Sequence, residues 1–103
     1  MITFLKKFIG GDETDLKKLY TDGAVIIDVR MPDEYREGHI KGSINVPLPN
    51  LSREIGILKK KNSPVITCCL SGGRSSVARK MLAEKGIEAY NGGGWRNLQS
   101  KIS

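Results

Sequence analysis

The chain has 103 residues, 39% hydrophobic and 27% charged, with a formal net charge of +6, which suits one soluble domain spanning residues 1–103 and leaves too little chain for two. No run approaches the ~18 apolar residues that cross a bilayer, and Lys6 and Lys7 interrupt the N-terminal stretch before it reaches the ~7-residue apolar core of a secretory signal, so a cytoplasmic protein with no membrane partner is expected. The 17 Lys and Arg residues form no basic stripe interleaved with aromatics, which argues against a nucleic-acid partner; Lys59-Lys60-Lys61 reads as a solvated helix end, and the excess charge favours small anionic ligands.

Along the chain, a first strand within residues 2–8 is weakly signalled. Asp12 is placed to cap a helix running to about Tyr20, with Leu16, Leu19 and Tyr20 on one face. Residues 24–29 (Ala24-Val25-Ile26-Ile27-Asp28-Val29) are nearly continuously apolar and rich in β-branched side chains, the pattern of a strand buried on both faces. Pro32 suits the first turn of a short helix that Gly38 ends. Residues 43–46 form a second short strand. Leu51, Ile55 and Leu58 recur at i, i+4 and i+7 and mark another helix. Residues 64–68 read as a strand, and residues 75–85 as a helix with Val77, Ala78, Met81 and Leu82 inward and Gly86 past its end. Residues 87–90 are a last strand. Such alternation predicts an α/β fold, a parallel sheet with helices on both faces.

Ligands of such sheets bind beyond the carboxyl ends of the strands. Three unusual segments fall there: Asp28-Val29-Arg30, residues 69–74, and Gly92-Gly93-Gly94-Trp95. The middle one reads Cys69-Leu70-Ser71-Gly72-Gly73-Arg74-Ser75 and runs directly into a helix. Its glycines permit a turn whose backbone N–H groups point inward, and the helix terminus adds partial positive charge, so an anion cradle is expected. A cysteine held there is thiolate-rich and nucleophilic, and Arg74 supplies a fixed cation. The same cradle would stabilise the terminal sulfur of a persulfide as it would an oxyanion, and double displacement through such an intermediate requires no metal or organic cofactor. Cys68, within the strand, reads as a small buried hydrophobe.

The sequence resembles the rhodanese-like sulfurtransferases along nearly its whole length. Three segments carry the resemblance in order: Ile27-Asp28-Val29-Arg30 with Asp33-Glu34-Tyr35 and residues 38–47 (Gly38-His39-Ile40-Lys41-Gly42-Ser43-Ile44-Asn45-Val46-Pro47); residues 69–75 as the active-site loop; and Tyr90-Asn91-Gly92-Gly93-Gly94-Trp95. The resemblance implies a sheet of about five parallel strands and transfer of sulfane sulfur to a thiophilic acceptor, cyanide or a thiol. Cys69 stands in the persulfide-bearing position, with Leu70, Ser71, Gly72, Gly73, Arg74 and Ser75 around the substrate. The position before the catalytic cysteine is often aromatic in that family and is Cys68 here; only eight residues follow Trp95, so a short final helix is expected.

Asp28 and Arg30 are read as supporting the loop through charge-assisted hydrogen bonds, or as pairing at the surface. His39 and Tyr35 are read as structural, and Trp95 as core or pocket wall. Partners consistent with this reading are a small anionic donor such as thiosulfate, polysulfide, or a persulfide-donor protein. Three rivals stand beside it. Counting from Cys68, five residues precede Arg74, the spacing of cysteine-dependent phosphatases and arsenate reductases; counting from Cys69, four do. A non-catalytic binding module of the same family usually lacks the cysteine, which this chain keeps. A redox switch between Cys68 and Cys69 would need a strained bridge, because adjacent Cα atoms are only about 3.8 Å apart.

Overall fold

Strands and helices alternate along residues 14–103, the portion that the computed structural model describes. Helix α1 (Leu16–Thr21) begins at Asp15, whose carboxylate accepts the Lys18 N–H at 3.0 Å. The N-cap is therefore Asp15 rather than Asp12, which lies outside the described residues, as does the strand expected within residues 2–8. There follow β1 (Val25–Asp28), α2 (Pro32–Glu37), β2 (Ile44–Asn45), a 3₁₀ turn (Leu48–Asn50), α3 (Leu51–Lys61), β3 (Val65–Cys69), α4 (Gly73–Glu84), β4 (Ala89–Gly94) and α5 (Trp95–Ile102). The described sheet has four strands in the order β2-β1-β3-β4, every neighbouring pair parallel. About five strands were expected.

The period of two along each strand divides the core between the two faces of the sheet. Ile27, Val29, Val65, Cys69 and Ala89 pack on one face with Leu51 and Leu58 of α3 and Ala78 and Leu82 of α4. Ile26, Ile66, Cys68 and Tyr90 pack on the other with Leu16 of α1 and Trp95 and Leu98 of α5. Cys68 and Cys69, adjacent in sequence, thus lie in different halves of the core.

Five local readings are corrected. Tyr20 is 37% and Val77 50% exposed, because the inward faces of their short helices are already supplied by Leu16 in α1 and by Ser75, Ala78 and Leu82 in α4. Strand β3 includes Cys69, one residue beyond the expected end. Helix α4 starts at Gly73, two residues earlier than expected, since Gly72 at φ +113° turns the chain at once into the helix. Finally, β4 occupies residues 89–94 instead of 87–90: the glycines let it continue hard against its neighbours. A Cβ on Gly92 would sit 2.8 Å from the Thr67 carbonyl oxygen and 2.8 Å from Leu98 Cδ2, and one on Gly94 2.8 Å from the Leu70 carbonyl oxygen. The register also slips between Thr67 and Cys69, where Thr67 faces Asn91 but Cys69 faces Gly94. The extra residue on β4 re-aims the strand end beside the loop.

Candidate active site

The sheet order reverses direction between β1 and β3, and the carboxyl ends of these two central strands deliver Asp28 and Cys69. This is where a doubly wound sheet opens a crevice. Cys69 is 1% exposed, and its sulfur is ringed by donors from the turn into α4. The Gly72 N–H reaches Sγ at 3.0 Å and the Ser75 N–H at 3.3 Å, while the Ser75 hydroxyl lies 3.3 Å away. Burial pushes the Cys69 thiol up, but hydrogen bonds from the Ser75 side chain and from the Ser75, Gly72 and Ser71 backbone outweigh it. The net pKa falls below the ordinary thiol range.

Ser75 is fully buried, and the surroundings fix its hydroxyl. Ser75 Oγ donates to Asn91 Oδ1 at 2.7 Å. Asn91 Oδ1 also accepts the Gly93 N–H at 2.9 Å, and Asn91 Nδ2 donates to the Gly72 carbonyl at 3.4 Å. One side chain from β4 therefore ties both ends of the cradle. Below it, Thr67 Oγ1 donates to the Ser75 carbonyl at 2.8 Å, anchoring the start of α4 to β3.

Cys68 has the opposite environment. Its side chain is on the other face of the sheet, and burial, then the Asp28 carboxylate, raise its thiol well above the ordinary range. The Cys68-to-Arg74 spacing therefore does not describe one cradle, and both cysteines are free thiols.

Arg74 leaves the loop toward α2. Its Nη1 and Nη2 donate to Glu34 Oε1 and Oε2 at 2.7 and 3.0 Å. The guanidinium beside Glu34 holds that carboxyl down to about 2. Leu70 (56% exposed), Ser71 and Gly73 form the outer surface of the loop.

Asp28 and Arg30 do not pair at the surface: they are 0% and 3% exposed. Arg30 Nε and Nη2 grip the Asp28 carboxylate at 2.8–3.1 Å. Its remaining donors go to the Gly38 carbonyl at 2.7 Å and the Glu34 carbonyl at 3.1 Å, and its guanidinium lies over the Trp95 ring. With every donor arm committed, Arg30 braces α2 and the turn at Gly38 against the sheet. Trp95 is a buried wall, its ring so close to Gly38 that a Cβ there would come within 3.1 Å. His39 Nδ1 donates to the Tyr35 carbonyl at 2.7 Å and its ring stacks on Tyr35, whose hydroxyl donates to the Ser43 carbonyl. Together these contacts tie the end of α2 to the turn that leads into β2.

Sequence reasoning therefore brought Cys69, the loop donors and Ser75 to one point. It missed Asn91, for which a polar residue directly before three glycines at a strand's carboxyl end was the available signal. It also missed Glu34, for which 40 residues of separation from Arg74 left no local signal. A groove of 680 Å³ lies at the other, amino end of β3 and β4, lined among others by Lys59, Asn62, Ser63, Gly86 and Glu88, and neither cysteine lines it. Among the described residues no helix is long and apolar enough to cross a membrane, and no cluster of His, Cys, Asp and Glu side chains is arranged to hold a metal.

A family model described as the rhodanese-like domain matches residues 12–101. The thiosulfate sulfurtransferase PspE of Escherichia coli is 35% identical over 74 residues, covering 70% of this chain and 71% of that protein. Among solved structures, a rhodanese with anions from E. coli superposes with a TM-score of 0.67 at 34% identity, covering 73% of this chain and 91% of that one. A rhodanese-related protein from Thermoplasma volcanium gives 0.69 at 30% identity, covering 86% and 88%.

Proposed function

The chain belongs to the rhodanese-like domain family, and from that premise we propose that it is a sulfurtransferase carrying sulfane sulfur as a persulfide on Cys69. The observation that carries this reading is the ring of polar groups on a buried sulfur: the Gly72 and Ser75 N–H groups donate to Sγ at 3.0 and 3.3 Å, and the Ser75 hydroxyl lies 3.3 Å away. Such a ring favours the thiolate for attack and then stabilises the terminal sulfur anion that the attack creates.

With thiosulfate, the Cys69 thiolate attacks the outer, sulfane sulfur. A new S–S bond forms to Cys69, the S–S bond of thiosulfate breaks, and sulfite departs with the electron pair, leaving Cys69–S–S⁻. Cyanide then takes the terminal sulfur as thiocyanate and returns the thiolate; a thiol acceptor takes it as a persulfide. Charge balances in each half, and the chemistry draws on no resident cofactor. Leu70, Ser71, Gly72, Gly73, Arg74 and Ser75 surround the donor, and Asp28 with Arg30 hold the neighbouring framework. A persulfide on a donor protein serves the same chemistry as thiosulfate. Two free thiols suit a reducing compartment such as the cytoplasm.

Intact-mass measurement after incubation with thiosulfate, polysulfide or a cysteine-desulfurase persulfide tests the reading. The expected result is a gain of one sulfur atom, mapped to Cys69 and discharged by cyanide. It is absent in Cys69→Ala and retained in Cys68→Ala. A protein that stays unmodified with all three donors is a binding module and refutes the proposal; loading lost in Cys68→Ala but kept in Cys69→Ala refutes the assignment of the nucleophile.

A further inference from the structure

We propose that Glu34 determines donor specificity: by occupying both arms of the Arg74 guanidinium, it reduces the attraction of the cradle for dianionic sulfur donors relative to monoanionic ones. This inference rests on the sulfurtransferase reading. Arg74 is the one basic side chain in residues 69–75, so it alone among the loop side chains carries a full positive charge with which to select a donor by its own charge. That charge is matched arm for arm by Glu34, with Nη1 and Nη2 each bonded to a separate carboxylate oxygen.

The carboxylate is fixed in place. Glu34 Oε1 also accepts the Met31 N–H at 3.0 Å, closing the first turn of α2. The Glu34 carbonyl accepts from Arg30 Nη1, and Arg30 is itself locked on buried Asp28. The pair is nonetheless at the rim, with side chains 36% and 33% exposed, where an approaching anion experiences both charges. Held at about 2, the Glu34 carboxyl is ionised throughout the neutral range.

An anion entering the cradle therefore meets inward N–H dipoles, a cation and a neighbouring anion. The dipoles attract any anion, while Glu34 repels in proportion to donor charge. Removing that one charge should favour the donor with the larger charge by about threefold per unit of difference, the size of a Coulomb interaction across several ångströms of solvated space. Salt should erase the effect at a rim so open to water.

Two small donors separate charge from chemistry. Thiosulfate is a dianion that leaves as sulfite; methanethiosulfonate is a monoanion that leaves as methanesulfinate. Each delivers the same sulfane sulfur, so both generate the same Cys69 persulfide and share the cyanide half-reaction. The experiment compares kcat/KM for the two donors in the wild type, Glu34→Gln and Arg74→Ala, at low and high ionic strength. Gln keeps the size of Glu34 and an oxygen for the Met31 N–H. Glu34→Gln should raise the thiosulfate-to-methanethiosulfonate ratio about threefold, and Arg74→Ala, which unmasks Glu34, should lower it by a similar factor. Both shifts should vanish at high salt. An unchanged ratio in the two variants, or equal losses with both donors, would show that the clamp only shapes the loop and overturns the inference while leaving the sulfurtransferase reading intact. If neither donor, nor polysulfide nor a desulfurase persulfide, loads the wild type, the underlying reading falls and this inference falls with it.

Discussion

Replacing Ser75 with alanine isolates the contribution of one hydroxyl to the ionisation of Cys69. The backbone N–H of residue 75 remains, as does the Gly72 N–H, so both backbone donors to Sγ persist. In the protonated site Ser75 Oγ lies between the Cys69 thiol at 3.3 Å and Asn91 Oδ1 at 2.7 Å; once the thiol ionises, the hydroxyl is within reach to donate to the sulfur. A hydrogen bond to a charged group is worth about 1.5–3 kcal/mol, and the long contact to sulfur places this one at the lower end. About 1.4 kcal/mol corresponds to a tenfold change in an equilibrium. Ser75→Ala should therefore lower the thiolate population, and with it the rate of alkylation of Cys69 by iodoacetamide, about tenfold at any pH below the thiol's pKa. The two pH–rate curves should converge at alkaline pH, where Cys69 is ionised in both proteins. Peptide mapping confirms the labelled residue, and a urea titration confirms that the variant is folded. Superimposed profiles from the folded variant would refute the assignment of the Ser75 hydroxyl as a stabiliser of the thiolate.

Gly92→Ala should destabilise the fold by about 3 kcal/mol or more, since the new Cβ would stand under 3 Å from the Thr67 carbonyl, Leu98 and Ile66. Gly73→Ala, in helical geometry with open space at its Cβ, should be neutral or stabilising by about 0.5–1 kcal/mol; urea midpoints check both, and equal midpoints would contradict the steric account. The raised Cys68 thiol makes stability depend on pH with a defined sign. Its contribution is present in full below the unfolded thiol pKa of roughly 8.5 and is lost as pH rises from there toward the folded value. The stability of Cys68→Ala relative to wild type should therefore improve by up to about 1.4 kcal/mol per pH unit above that point, and a difference independent of pH between 8 and 10.5 would count against it. The depressed Glu34 carboxyl has the reverse sign: stability from its pair with Arg74 holds above the ordinary carboxyl range and declines as pH falls toward about 2. That loss should be missing from Glu34→Gln in acid titrations, and its small size follows from the exposure of the pair.

The layered α/β architecture was legible because its signals are local and periodic. The β-branched run ending at Asp28, the apolar spacing of Leu51, Ile55 and Leu58, and the small-residue turn after Cys69 each specify an element within a few residues. The cradle around Cys69 was legible for the same reason, through a strand, a glycine turn and a helix start in immediate succession. What escaped depends on approach between distant segments. Strand β4 runs through Gly92 and Gly94 because absent side chains let it touch Thr67 and Leu70, which no pattern within residues 87–94 reports. Asn91 becomes the tie across the cradle only because β4 brings it beside Ser75 and Gly72, far from it in sequence. Arg74 looked like a free cation because its carboxylate partner sits on another element. Asp28 and Arg30 were read as a supporting or a surface pair, and their burial comes from Trp95 and Gly38 closing over them.

On the persulfide reading proposed above, the placement of the two cysteines on opposite faces of β3 would also govern how well a loaded protein keeps its cargo. A thiolate beside a persulfide can attack the sulfur bonded to carbon, forming a disulfide and releasing hydrosulfide, a leak that would discharge the carrier without any acceptor. Sequence adjacency would seem to invite this reaction between Cys68 and Cys69. The strand's alternation interposes the backbone between them, and the environment of Cys68 keeps its sulfur protonated and unreactive. The sheet would thus act as a partition: a sulfur carried on Cys69 would be shielded from Cys68, and its discharge left to an acceptor that enters from solvent.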